Sequence, residues 1–192
     1  MSLRDVSNML YLCYKNEVEK RRMTFKPDEA TKDRVERVAK WQQSEESKAG
    51  LLLYGGCGTG KSTMARAICT LIDYLYESSY DSEKRQVIIC SAYNISKYCQ
   101  DSPKYYDRLK SEELLFIDDM GIEPTQVKLF GNECSPLTEL LYARYDYRRW
   151  TVISTNLDDV KISERYGDRI GDRINEMFGK LYFNGKSYRS YE

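Results

Sequence analysis

The segment Gly55-Gly56-Cys57-Gly58-Thr59-Gly60-Lys61-Ser62 limits what this chain can fold into more than any other. It fits G-x-x-x-x-G-K-[ST], and its flanks fit as well. The apolar run Leu51–Tyr54 precedes it, and a stretch with Met64, Ile68, Leu71, Ile72 and Leu75 on one helical face follows. Strand, glycine turn and helix form the setting in which this pattern binds phosphate. The glycines let the backbone turn its N–H groups inward, and the helix N-terminus adds partial positive charge. Gly55, Gly56, Cys57, Gly58, Thr59, Gly60, Lys61, Ser62 and Thr63 are the candidate phosphate cradle. Lys61 is expected to reach the β- and γ-phosphates, and Ser62 to ligate Mg²⁺. A dinucleotide fingerprint is excluded, because no G-x-G-x-x-G can be completed from Gly56 or Gly58.

The rest of the chain alternates in the same way. Gln86–Ser91, Leu114–Ile117 and Thr151–Thr155 read as short buried strands. Helical stretches follow to about Tyr76, to about Leu109 with a break near Pro103, to about Trp150 after a loop from Gly121 to Ser135, and over 158–179. Such alternation predicts a parallel sheet covered on both faces, the three-layer α/β sandwich. Two helices precede it, at about 4–22 and 28–42, parted where Phe25-Lys26-Pro27 disfavours helix. Asn184-Gly185 between Leu181–Phe183 and Lys186–Tyr191 predicts a terminal hairpin. The expected division is an N-terminal pair of helices with linker, 1–42, and a core, 43–192.

The second candidate motif is Leu114-Leu115-Phe116-Ile117-Asp118-Asp119. Its acids stand only at the C-terminal end of a buried strand, the rim on which the phosphate loop also lies in a parallel sheet. Asp118 is expected to hold Mg²⁺ through water, and Asp119 to orient or deprotonate an attacking water. Asp119 is a methylene shorter than Glu, which predicts slow hydrolysis. A strand that simply stops at a polar turn is the plain alternative. Asn156 ends the strand Thr151–Thr155. If that strand lies between the first and third, Asn156 faces the γ-phosphate; as a turn residue it would have no such role.

Composition narrows the classes further. Thirty basic and 30 acidic residues cancel, which argues against a protein that coats nucleic acid non-specifically. The absence of histidine removes His-based catalysis and His metal ligands. Six cysteines without a C-x-x-C pair read as reduced thiols. No apolar run approaches the ~18 residues of a membrane span, and no secretory signal is visible. A soluble, cytoplasmic protein without membrane partners is expected.

Two helices carry unusual patterns. Over 158–179, Lys161, Arg165, Arg169 and Arg173 form one row, with an acid three residues after each, so the charges could pair along a solvated face. Gly167 and Gly171 interrupt that helix at about 0.8–1 kcal/mol each, which suggests close approach of another backbone or subunit. Tyr142 to Trp150 interleaves rings and guanidinium groups, a surface able either to stack single-stranded DNA bases or to pack on the sheet.

Together these motifs resemble the AAA+ ATPases of the DnaC-type helicase loaders and the related IstB-type transposition helpers. The likeness runs from about Trp41 to Tyr191 and includes Tyr166-Gly167-Asp168-Arg169-Ile170 with Arg173, and Ser187-Tyr188-Arg189. It implies a P-loop fold of five mainly parallel strands with the phosphate-loop strand at its centre. It also implies ATP and Mg²⁺ as cofactors, ATPase activity, and Asn156 as a sensor of the γ-phosphate. Arg173, with Arg169 beside it, becomes a candidate arginine finger acting on a neighbouring subunit, so self-association through the Arg173 face is expected. The implied partners are a replicative helicase, or a transposase, and single-stranded DNA. Residues 157–192 are expected to form one helix and a hairpin rather than a separate helical lid. A small-molecule kinase is the alternative of a different class, though no arginine-rich lid is inserted between the second and third strands.

Overall fold

The computed structural model describes residues 1–44, 46–77, 86–129, 131–185 and 187–188. Helices α1 (Leu3–Glu19) and α2 (Glu29–Gln43) come first. Ser2 caps α1 in a reciprocal box with Asp5, and the Asp28 carboxylate caps α2. The core follows as β1 (Gly50–Gly55), α3 (Lys61–Glu77), β2 (Ile88–Ser91), α4 (Ala92–Asp101), α5 (Pro103–Ser111) and β3 (Leu114–Met120). Then come β4 (Val127–Leu129), β5 (Asn132–Cys134), α6 (Pro136–Asp146), β6 (Trp150–Thr155), α7 (Asp159–Tyr166), α8 (Asp168–Met177) and β7 (Phe178–Phe183).

Five strands form one parallel sheet in the order β2-β3-β6-β1-β7. Its strands bury both faces, so successive residues serve opposite cores. Leu51, Leu53, Phe116 and Val152 face one layer, built by α1, α2 and α3 through residues such as Leu10, Val38 and Ile68. Leu52, Leu115, Ile117 and Ile153 face the other, built by α4 to α8 through Ile95, Leu109, Leu140, Ile162 and Ile174. The N-terminal helices thus share a core with α3.

The structure corrects several expectations. The phosphate-loop strand β1 is not central: β6 is, with β1 next to the β7 edge. The helix expected over 158–179 is two helices, broken at Gly167 with φ +90°, a value L-residues avoid. Gly171 serves a contact inside the chain, because a methyl there would strike the Ser163 side chain of α7. Leu181–Phe183 is the end of a parallel strand on β1, and the expected second hairpin arm, 186–191, lies largely outside the described residues. Finally, the stretch 121–135 holds an antiparallel pair, β4 and β5.

Arg144 of α6 is wholly buried. Its guanidinium donates to Leu109 O and Glu112 O at the end of α5, to Trp150 O, and to the Thr151 hydroxyl, at 2.7–2.8 Å. It satisfies carbonyls that a helix C-terminus leaves without partners. Part of the aromatic and cationic helix is therefore interior. Arg144→Ala should lower unfolding free energy by about 3 kcal/mol or more, through unpaired acceptors and a cavity. Arg144→Lys should recover less than half of the loss, since one ammonium cannot copy the fork. Denaturant titration of the three proteins measures this.

Candidate nucleotide site

Between β1 and α3 the backbone turns at Gly55, Gly58 and Gly60, with φ +134°, +75° and +95°. The chain wraps there because glycine alone holds these angles cheaply. Lys61, the first residue of α3, is nearly buried. Its ammonium donates to Gly55 O (2.9 Å), Gly56 O (2.6 Å) and Asn156 Oδ1 (2.8 Å). Phosphate oxygens would be stronger acceptors than these neutral ones. Cys57 is exposed, the Thr59 hydroxyl donates to Gly56 O at 2.8 Å, and Ser62 is half-buried beside Lys61. The Thr63 hydroxyl accepts from Arg21, in the turn after α1, at 3.1 Å.

Groups far away in sequence brace this loop. Arg34 of α2 is 3% exposed; it donates to Thr59 O (3.2 Å) and Asn184 O (2.5 Å), and its guanidinium lies 4.5 Å from the Phe183 ring centroid. Tyr188 N donates to Gly58 O at 2.9 Å, and its hydroxyl to the Asp28 carboxylate at 2.7 Å. A methyl at Gly60 would meet the Tyr14 hydroxyl. Sequence patterns singled out none of Tyr14, Asp28 and Arg34 for this role, because each looks like an ordinary helix residue.

The acidic end of β3 is irregular. Ile117 pairs with Ile153, and Met120 with Thr155, so three steps on β3 match two on β6. Asp118 and Asp119 occupy this bulge, and Asp119 has φ +55°, a strained value for a non-glycine residue. Ser154 of β6 fills the gap. Its hydroxyl accepts from Asp119 N (2.9 Å) and donates to Asp118 Oδ1 (2.6 Å). Arg66 of α3 lies 3.2 Å from Asp118 Oδ2. Since β6 runs between β1 and β3, Asn156, Lys61 and the two acids share one rim. Sequence reading assigns no role to the Ser154 hydroxyl or to Arg66, one a residue of a buried strand and the other a helix cation.

The loop after β3 is tied to α7. Glu123, 1% exposed, accepts from Gly121 N at 2.8 Å and from the Tyr166 hydroxyl, while Arg165 donates to Glu123 O. Burial and the Glu123 carboxylate push the Tyr166 phenol well above its ordinary pKa. The acid–base pairs expected along 158–179 do not form among the described residues. Lys161 pairs with Asp158, Arg165 with Glu123, and Glu176 with Arg148. Arg169 is exposed, whereas the Arg173 guanidinium stacks 4.2 and 4.7 Å from the Tyr142 and Tyr145 ring centroids.

Ser154→Ala should leave the Asp119 N–H in the bulge without an acceptor. A loss of about 1–3 kcal/mol in unfolding free energy is expected, with Ser154→Thr nearer the parent. Chemical denaturation decides it; unchanged stability in the alanine variant would mean the bulge does not rest on this hydroxyl.

Comparison with known proteins agrees with this geometry. The family model for AAA, "ATPase family associated with various cellular activities", matches residues 51–123, which hold the loop and the acidic strand. No curated protein sequence matches the chain. Among solved structures, the DnaC helicase loader is similar at TM-score 0.61 and 18% identity, over 83% of this chain and 94% of that one. DnaI is similar at 0.63 and 18%, over 85% and 87%. AMPPCP-bound DnaA from Aquifex aeolicus is similar at 0.57 and 16%, over 85% of this chain and 50% of that one. The chain therefore carries the P-loop AAA+ ATPase fold, in the form shared by DnaC and DnaI.

Proposed function

We propose that this chain is a Mg²⁺-dependent ATPase of the DnaC-like kind, which binds ATP at the Gly55–Thr63 loop and acts as a loader of a replicative helicase. The observation that carries the reading is the shared rim: the Lys61 ammonium, the Asn156 amide and the Asp118–Asp119 bulge converge beside the N-terminus of α3. Loop N–H groups and Lys61 would bind the β- and γ-phosphates. Ser62 and Asp118 would hold Mg²⁺, which spreads the phosphate charge. Asp119 would orient the attacking water, and Asn156, already hydrogen-bonded to Lys61, would sense the γ-phosphate. Helicase and single-stranded DNA are the partners proposed, by likeness to DnaC, and the bracing of the loop by α1 and α2 offers a route from partner to site. A transposition helper would use the same nucleotide chemistry with a transposase as partner. A kinase is less well supported, since α4 and α5, between β2 and β3, bury Ile95, Cys99, Tyr106 and Leu109 in the core.

Calorimetry of the parent with Mg-ATP should show one site per chain. Lys61→Ala should lose that binding while melting close to the parent. Unchanged ATP affinity in the variant would remove the site assignment. Phosphate release measured with and without single-stranded DNA then separates a DNA-linked ATPase from a non-hydrolysing binder.

Arg173 is proposed as the finger that completes a neighbour's site, with Arg169 as companion. Its guanidinium is steadied by two tyrosine rings, and no carboxylate clamps it among the described residues. Such a finger contributes about 10³–10⁵ in rate in other P-loop enzymes. Arg173→Ala should bind ATP normally but lose assembly-dependent hydrolysis. Mixed with Lys61→Ala, which keeps the arginine, it should regain activity above either variant alone. A mixture no more active than its parts would sink the trans-acting role.

A further inference from the structure

The Asp118 carboxylate is occupied on both oxygens. Oδ1 takes the Ser154 proton at 2.6 Å, and Oδ2 faces the Arg66 guanidinium at 3.2 Å. Arg66 stands four residues after Ser62 on α3, one helical turn along the same face. It therefore reaches across from the element that opens with Ser62 to the strand that ends in Asp118. The Asp118 side chain is 13% exposed and that of Arg66 37%, so the pair is partly shielded, and the guanidinium has an open path to solvent. No other ion pair of Arg66 occurs among the described residues.

Resting on the ATP reading above, we propose that Arg66 is a resident cation for Asp118, a positioning residue that holds the carboxylate until Mg²⁺ takes its place. A guanidinium and a hydrated divalent ion cannot both lie against the Asp118 carboxylate without strong like-charge repulsion. Accepting Mg²⁺ therefore requires Arg66 to let go and swing outward. Ser154 can keep its own bond through the exchange, so the carboxylate does not turn when its cation changes. Arg66 thus raises the Mg²⁺ concentration needed for the nucleotide complex. It also keeps a half-buried acid beside the strained Asp119 from standing uncompensated when metal is absent.

The test is ATP binding by calorimetry on the full chain across a Mg²⁺ series, with an EDTA arm, for the parent, R66M and R66K. R66M should reach half-maximal Mg-dependent binding at a Mg²⁺ concentration lower by about threefold or more, the scale of a partly exposed ion pair. R66K should stay near the parent, and affinity in EDTA should be the same for all three. Melting curves give a second readout without hydrolysis: Mg²⁺ with ATP should raise the melting temperature of R66M more than that of the parent. If R66M does not fold, R66Q carries the same comparison. A parent-like Mg²⁺ profile in a folded, ATP-binding R66M overturns the inference and leaves the pair structural. Weakened ATP binding by R66M in EDTA also overturns it, and makes Arg66 a phosphate contact instead. A parent that binds no ATP at all removes the underlying reading as well, and is recognised by that fact.

Discussion

One serine hydroxyl shapes the acidic rim. A parallel ladder between β3 and β6 would continue smoothly to the strand ends, with the acids pointing alternately to the two faces. The extra residue at Asp118–Asp119 breaks that alternation and strands a backbone N–H where sheet geometry offers no carbonyl. Ser154 accepts from that N–H and gives its proton to the Asp118 carboxylate. A hydroxyl can do both at once, and no apolar side chain of similar size can do either. The left-handed Asp119, the fixed Asp118 rotamer and the placement of both acids near Asn156 follow from this one group.

A second arrangement acts on the opposite side of the loop. Buried Arg34 joins α2, the carbonyl of Thr59 and the end of β7, and Tyr188 adds a bond from beyond β7 to Gly58. Guanidinium suits this place because its planar fork can serve several carbonyls and still stack on Phe183. Arg144 repeats the device within the other layer, tying the end of α5 to the start of β6. Two interior arginines, without ion pairs among the described residues, are thus used as cross-links between backbone segments.

Much of this was legible before any coordinates. The phosphate loop, the acid-ended strand and the strand bearing Asn156 are local patterns, and their strand–helix context is written in period and glycine placement. That β6 separates β1 from β3 was set out as a condition, and the sheet order meets it. What escaped has a physical reason each time. β4 and β5 are three residues long, too short for alternation to register. The four-residue charge rhythm across 158–179 hid the break at Gly167, because a helix–turn–helix can keep that rhythm while changing direction. The bracing residues Tyr14, Arg34, Arg66, Glu123 and Ser154 act through contacts distant in sequence, and no local spacing marks such contacts.

The position of β1 has a consequence for how the molecule is made. Its sheet neighbours are β6 and β7, which enter the chain about 100 and about 130 residues later. As the polypeptide leaves the ribosome, the glycine loop and α3 emerge early, yet the strand that carries them has nothing to pair with until Trp150–Phe183 has followed. Arg34 likewise waits for Asn184. Contacts this far apart form late and slowly. Nascent chains that stop short of β7 would hold a complete phosphate-loop sequence without the sheet that shapes it.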